Sequence, residues 1–407
     1  MADADPPRRR VLMVHERYQQ AGGEDGVFDA QVALLRARGH DVATVEVDND
    51  AIPSSPSAAQ RVRLAVDTVW SRDGVRQVRA AIRAARPDVV HAHNTFPLLS
   101  PAIHAVARAE GVATVQTLHN YRMICPSAVL FRDGGPCQDC VGLPLAVPGV
   151  VHACYRDSRA ASATVAAMSA IHRVRGTWTR DVDRFVALAP FARDRLVHGG
   201  LPAARTIVQP NFVDRPGRPL EGVGSGFLYV GRLAVEKGVG VLVDAWRTLP
   251  PSMRLTIAGT GPLEALVRAA AEQHPGIAYV GRLDAAGVDA ALADARALIV
   301  PSLWYEVCPL TVLEAFAAGR PVIASGHGGL ADLVEDGVTG THVRPGDAGA
   351  LADAVLAAEA DPDEMRSRGA AAQVAFRARH TPDRGYAGLV DVYEQALRRR
   401  SGRPEAA

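Results

Sequence analysis

"ALIVPSLWYEVCPLTVLEAFAAGRPVIAS", residues 297–325, contains the plan of the fold in one unit. "ALIVP" (297–301) is a short apolar run of strand character. A polar loop follows, then a helical segment with Pro309 in its first turn, where a missing N–H does no harm. "PVIAS" (321–325) is a second strand. Strand, helix and strand in this order make parallel neighbours, and uninterrupted apolar strands suit a sheet covered on both faces.

The same rhythm runs outward in both directions. Upstream lie "FLYVG" (227–231), "RLTIAG" (254–259) and "IAYVG" (277–281); downstream lies "THV" (341–343). Before them comes another series: "RVLMV" (10–14), "DVATVEV" (41–47), "DVVHA" (88–92), "VATVQTL" (112–118) and "RFVAL" (184–188). Helices are expected over 25–38, 57–84, 100–110, 158–176, 190–198, 239–248 and 385–399. "DRPGRPLEGVGS" (214–225) breaks the rhythm with Pro, Gly and polar residues and reads as a linker. The expected organisation is an N-terminal α/β domain over 1–213, the linker 214–225, a second α/β domain over 226–384, and a C-terminal helical segment, 385–407, crossing back to the first. Two doubly wound parallel-sheet domains would face each other across a cleft, with ligands at the carboxyl ends of the strands.

Composition limits the function. The chain has 407 residues, too many for one ordinary core, and a formal net charge of +1. That balance gives no reason to expect nucleic acid as a partner. Apolar runs are short, so no segment reads as membrane-spanning, and "RRRVLMV" (8–14) has too short an apolar stretch for a signal peptide. A cytoplasmic protein is expected, with arginine-rich surface able to make peripheral contact with anionic lipid.

Lys237, in "VGRLAVEKG" (230–238), is the only lysine among 45 lysine and arginine residues. With Arg232 it follows a strand and precedes a helix. Two cations at the carboxyl end of a parallel strand, beside a helix N-terminus, suit a diphosphate. An ammonium is a compact charge that arginine's flat fork does not reproduce. In the 297–325 unit, Glu306 follows the strand and Glu314 lies about one turn into the helix, an E-x7-E spacing. Backbone N–H groups of residues 310–312 would be open to phosphate or ribose oxygens, and Glu314 could take hydrogen bonds from a ribose diol.

These stretches, with "IAGTGP" (257–262), "YVGRL" (279–283), "GGLADLVEDGVTG" (328–340), "AGGEDGVFDAQVALLRARGHDV" (21–42) and "DVVHAHNTFPLLSP" (88–101), resemble the retaining GT-B glycosyltransferases of family 4, the "glycosyl transferases group 1". The resemblance covers nearly the whole chain. It implies a nucleoside-diphosphate sugar donor, UDP before GDP, bound mainly by the C-terminal domain, and a hydroxyl acceptor on the N-terminal side. It implies that Arg232 and Lys237 clamp the diphosphate and stabilise the leaving group, with no catalytic metal. Glu306 would meet the donor sugar, Glu314 the ribose, the backbone at Arg282 and Leu283 the base, and the loop of Val307, Cys308, Pro309, Leu310 and Thr311 the sugar and phosphate. Retention follows from the resemblance. No carboxylate stands out as a covalent nucleophile, so front-side attack within an ion pair is the expected route.

In the N-terminal half, Gly22 and Gly23 follow the first strand, where glycine lets backbone approach a ligand; Glu24 and Asp25 offer instead to cap the next helix. His119 ends a strand and is expected near the donor sugar. His93, Asn94, Asn120 and Tyr121 are the acceptor-side candidates. His91 and His93 alternate along a strand and are expected to face opposite ways, His91 in packing. Cys125, Cys137, Cys140 and Cys154 have the spacing C-x11-C-x2-C-x13-C, which offers a four-thiolate structural zinc site or four reduced thiols; the family resemblance says nothing about it. Competing readings are a catalytically silent nucleotide-sugar-binding protein, and an epimerase or phosphorylase on the same fold. An NAD-dependent dehydrogenase is disfavoured, because no G-x-G-x-x-G follows the first strand.

Overall fold

The structure is a computed structural model that describes residues 7–19, 22–53, 55–215 and 222–402. The chain divides into two compact units. One comprises Met1–Val129, Gln138–Pro210 and Gly385–Ala407; the other comprises Leu130–Cys137 and Asn211–Arg384. Residues 216–221, half of the expected linker, lie outside the described residues, as do 403–407 of the expected C-terminal segment.

The first unit is built on a parallel sheet of β1 (Arg10–Arg17), β2 (Asp41–Asp48), β3 (Val89–Ala92) and β4 (Ala113–Leu118). After a two-stranded hairpin of β5 (Phe131–Arg132) and β6 (Gly135–Pro136), β7 (Arg184–Ala187) and β8 (Thr206–Val208) complete it. The order is β2-β1-β3-β4-β7-β8. β1 runs three residues beyond the expected strand because His15 and Glu16 are fully buried. The expected helix over 57–84 is two, Ala58–Val69 and Arg72–Ala85, since Ser71 caps the second through its bond from the Gly74 amide. β8 and the hairpin are too short to carry a pattern and were not expected from the sequence.

The second unit has β9 (Phe227–Val230), β10 (Leu255–Ala258), β11 (Ile277–Gly281), β12 (Ala297–Val300), β13 (Val322–Ser325) and β14 (Gly340–Val343). All pair in parallel in the order β11-β10-β9-β12-β13-β14. Its core joins Phe227 and Ile299 of the sheet to Leu242, Val243 and Trp246 of the helix Val239–Thr248. Both faces of the sheet are covered, which is why β12 is buried at every residue.

The last helix, Pro382–Arg400, packs on the first unit. Tyr393 is hydrogen-bonded to His91 at 2.9 Å, Tyr386 to His40 at 2.9 Å, and Arg400 to Asp183 at 2.7 Å. Its own Leu389, Val392 and Ala396 are buried. Among the described residues no helix is long and apolar enough to cross a membrane.

Candidate active site

In the second sheet the chain winds outward from β9 through β10 to β11, then returns to β12 and winds the other way. The loops after β9 and β12 therefore diverge and leave a crevice at their carboxyl ends, the general ligand position of such sheets. A single 3-10 turn, Val235–Lys237, follows β9 and ends at Gly238, whose φ of 72° lies in the left-handed region. It delivers Lys237 to the crevice. Lys237 Nζ lies 2.7 Å from Glu306 Oε1 and 4.9 Å from the ring centre of Trp304. The same oxygen of Glu306 accepts the Ser302 hydroxyl at 2.7 Å. The Glu306 main chain is fixed too: its carbonyl accepts the Gly329 amide at 2.8 Å. Glycine is required there, because a Cβ on Gly329 would stand 2.2 Å from the Val307 carbonyl oxygen. The two loops are tied by Leu303, whose amide donates to the Glu236 carbonyl at 2.8 Å.

Arg232 is exposed and paired with Glu236, which sequence reasoning missed although it adjoins Lys237. Glu314 lies in the helix Leu310–Ala317 and binds Arg215 at 2.9 Å, and Arg215 also pairs with Asp289. Burial pushes the Glu314 carboxyl up, and Arg215 works against it. Arg215 was not foreseen, because it stands in the Pro- and Gly-rich linker region. Each cation or carboxylate expected to meet a ligand thus has an opposite charge to hold it in place. Such a set is oriented before any ligand arrives.

Two expectations for the 307–311 loop change. Pro309 stands one position before the helix, as its N-cap with ψ 125°, and Val312 donates its amide to the Pro309 carbonyl at 3.2 Å. The amides at the helix start are then those of Leu310 and Thr311, not 310–312. The Cys308 thiol is buried, and burial pushes it up to about 12, so it is not a thiolate near neutral pH. Its carbonyl accepts the Asn211 side chain at 3.1 Å. Arg282 and Leu283 follow β11 on the far side of β10, with Arg282 exposed.

In the first unit, Gly22 and Gly23 open the helix Gly23–Ala37, but the Gly22 amide is taken by Asp25 Oδ2 at 2.8 Å. Gly22 has a φ of −112°, open to any residue. Capping by Asp25 therefore replaces the expected ligand role for that amide. The other Asp25 oxygen is 2.7 Å from His15 Nε2. Burial raises the Asp25 carboxyl, yet these two bonds hold it below the usual range.

His93 and His119 meet: Nδ1 of one is 2.9 Å from Nε2 of the other. His91 and His93 do not face opposite ways; their rings are 4.6 Å apart. Residues two apart on a strand share a face, so the sequence expectation misread the period. His91 is indeed packing, bound between Tyr393 and Thr117. Asn94 is spent on the backbone, donating to the Glu16 carbonyl at 2.7 Å and accepting the Phe96 amide at 3.2 Å. Tyr121 is fully buried in the core. Tyr121 is therefore closed to an acceptor, whereas Asn94 lines a cavity with its side-chain amide already bonded to the backbone. Asn120 accepts the Arg122 amide at 3.0 Å and lines a cavity with His93 and His119.

The four clustered cysteines divide between the units, Cys137 in the second and Cys125, Cys140 and Cys154 in the first. Among the described residues no three His, Cys, Asp or Glu side chains are placed to hold a metal ion. Cys125 Sγ is bonded to Ser127 Oγ at 3.1 Å and Cys140 Sγ accepts the Gly149 amide at 3.2 Å. None of the five cysteines forms a disulfide.

Burial keeps four histidines of the first unit neutral: His91 and His119 fall from 6.5 to about 3, His104 to about 4, and His93 well below its ordinary value. Depressed bases stabilise the folded state fully above about pH 6.5, and that stability is lost as pH falls towards 3. Glu16 and Glu24, raised by burial to about 7 and about 8, work in the opposite sense. Four histidines outweigh two carboxyls, so urea midpoints should fall between pH 6.5 and 4.5. A midpoint that held or rose across that window would contradict the neutral cluster.

Comparison with known proteins agrees with this geometry. The family model "Glycosyltransferase Family 4" matches residues 22–215, and "Glycosyl transferases group 1" matches 224–361. The chain belongs to glycosyltransferase family 4. The transferase is 29% identical to a glycogen synthase of Mycobacterium tuberculosis over 415 residues, 89% of each chain. It is 36% identical to a phosphatidyl-myo-inositol mannosyltransferase of Mycobacterium leprae over 142 residues, 33% of this chain and 37% of the other. Among solved structures it resembles a sucrose-phosphate synthase of Thermosynechococcus elongatus, with a TM-score of 0.68 at 20% identity over 95% and 99% of the two chains. The HepE protein of Anabaena, in complex with UDP and glucose, matches with a TM-score of 0.66 at 14% identity over 95% and 99%. The transferase therefore has the GT-B class of fold, with two parallel-sheet α/β domains.

Proposed function

We propose that this glycosyltransferase takes its sugar, a hexose, from a nucleoside-diphosphate donor bound by the second unit and passes it to a hydroxyl acceptor with retention. The observation that carries the reading is the Lys237–Glu306 pair at the switch point of the second sheet, held by Ser302 and Trp304. Lys237 and Arg232 neutralise the leaving diphosphate, and Glu306 takes hydrogen bonds from the donor sugar. Glu314 binds the ribose, and the amides of Leu310 and Thr311 meet phosphate oxygens. Two cations supply the charge, so transfer proceeds without a divalent ion. The UDP bound to the HepE protein supports uridine as the first base to test, with GDP next.

The test is thermal unfolding with UDP, GDP or ADP and no added metal. A ligand at about 100 times its dissociation constant adds about 2.7 kcal/mol to stability. One diphosphate should raise the unfolding temperature of the natural chain and not that of Lys237→Ala. Equal shifts in both proteins, or none with any nucleotide, would refute the clamp. Retention is read from the anomer of the product by NMR.

A further inference from the structure

The helix Arg159–Val174 of the first unit buries one face, with Val165, Ala166, Met168 and His172. Its opposite face is apolar too. Ala160, Ala163, Ala167, Ile171 and Val174 follow one another at three or four residues, and all but the half-buried Ala167 are exposed. A surface helix normally keeps polar residues there.

Two neighbours widen the stripe. At about 100° per residue, Arg159 and Arg175 stand about 80° to either side of it. On the Arg159 side lies "VGLPLAVPGVV" (141–151), a segment without a charged or hydrogen-bonding side chain. Arg159 Nε donates to the Val151 carbonyl at 3.3 Å, and Arg173 Nη1 to the Leu143 carbonyl at 2.8 Å, so the segment runs along the helix. It exposes Leu143, Leu145, Val147 and Val151. On the Arg175 side, the helix Ala58–Val69 packs through the Val69 carbonyl on His172 at 2.8 Å and exposes Val62 and Val66. Eight of the fourteen large apolar side chains exposed among the described residues thus fall on three neighbouring elements, from 40% to 88% exposed. Single exposed apolar residues are ordinary, whereas a contiguous patch marks an interaction surface. From Arg159 to Arg173 it is about 21 Å long at 1.5 Å per residue.

The charge around the patch has one sign. Between residues 141 and 176 stand Arg156, Arg159, Arg173 and Arg175 against Asp157 alone, a surplus of three in a chain whose net charge is +1. Arg159 and Arg173 donate to main-chain carbonyls, and Arg175 lies 4.4 Å from the Trp70 ring centre. These contacts leave their charge uncancelled. A second copy of the chain is a poor occupant, because a two-fold pairing would set the surplus against itself. An anionic bilayer surface complements it: lipid phosphates meet the arginines while Leu and Val side chains sink below the headgroups.

We propose that this face of the first unit, centred on the helix Arg159–Val174, docks on the anionic surface of a membrane. No described helix can cross a bilayer, so the chain lies on the surface. The surface uses no residue of the donor site, and its test is separate from that of transfer.

The test is flotation of the full chain with phosphatidylcholine vesicles, with and without phosphatidylglycerol at about one third of the lipid. The natural protein should float with the mixed vesicles and stay behind with phosphatidylcholine alone. Leu145→Asp and Val174→Asp should each weaken binding about tenfold or more, since each removes apolar area and adds a repelled charge. Arg175→Gln should weaken it about fivefold. Val374→Asp, at an exposed apolar position on the helix Pro362–Arg379, is the control and should bind as the natural chain does. The proposal is overturned if the natural chain does not float, if it floats equally with phosphatidylcholine alone, or if both patch variants float as it does. An equal loss in Val374→Asp overturns it too. So does a dimer in sedimentation equilibrium that Val174→Asp dissociates, since a second copy then covers the face. Should Val174→Asp fail to fold, Leu145→Asp, which lies in a loop, decides.

Discussion

Lys237→Arg is expected to fold normally and to lose transfer by about a hundredfold or more, the scale of removing one oriented charge from a developing anion. The reason is geometric. Lys237 Nζ is set 2.7 Å from Glu306 and 4.9 Å from the Trp304 ring, on a turn of three residues with little freedom to retreat. A guanidinium is wider and flat, and its charge would sit off the point that the ammonium occupies. The loss should fall on kcat more than on KM if the charge acts chiefly on the leaving group. Lys237→Ala is a less clean experiment, because it leaves Glu306, 4% exposed, with only the Ser302 hydroxyl to offset its charge. Equal turnover of Lys237→Arg and the natural enzyme would remove Lys237 from the mechanism and make its survival in an arginine-rich chain incidental.

Gly238→Ala is expected to lower stability by about 3–5 kcal/mol, among the larger single-residue effects. Two costs combine. The residue holds a φ of 72°, which disfavours any side chain, and a Cβ there would fall 1.9 Å from the Pro301 carbonyl oxygen. Pro301 is the first residue after β12, so relief must come by moving the loop that carries Glu306 away from the turn that carries Lys237. Activity should therefore fall in the fraction that stays folded. Gly240→Ala, two residues on in the helix Val239–Thr248, is the control. A Cβ there meets nothing within 4 Å, and the change should add about 0.5–1 kcal/mol. Urea unfolding of both variants checks the pair, and similar midpoints for the two would refute the argument.

The parallel-sheet architecture was legible because its signal is local. Each strand of the second sheet is four or five residues of β-formers between helical segments, and every one falls within a residue of its expected place. Lys237 and Glu306 were legible as chemistry for the same reason: each follows a strand. Their contact was not, since 69 residues separate them and only the order β9-β12 makes them neighbours. Tyr121 failed as an acceptor contact because burial is a tertiary fact. Arg215 escaped notice because a Pro- and Gly-rich stretch has no period to read. Glu24 was seen only as a cap, and the capping falls to the adjacent Asp25, while Glu24 lines the cavity of His93 and His119.

The return of the helix Pro382–Arg400 to the first unit has a consequence for synthesis. The first sheet is complete once residue 208 has been made, yet the partners of His40, His91 and Asp183 are made only after the second unit. At about 5–20 residues per second, the nascent first unit waits roughly 10–40 s with that flank uncovered. A chain cut short anywhere in the second unit would leave a defect in the first. The first sheet thus registers whether translation has passed the second unit.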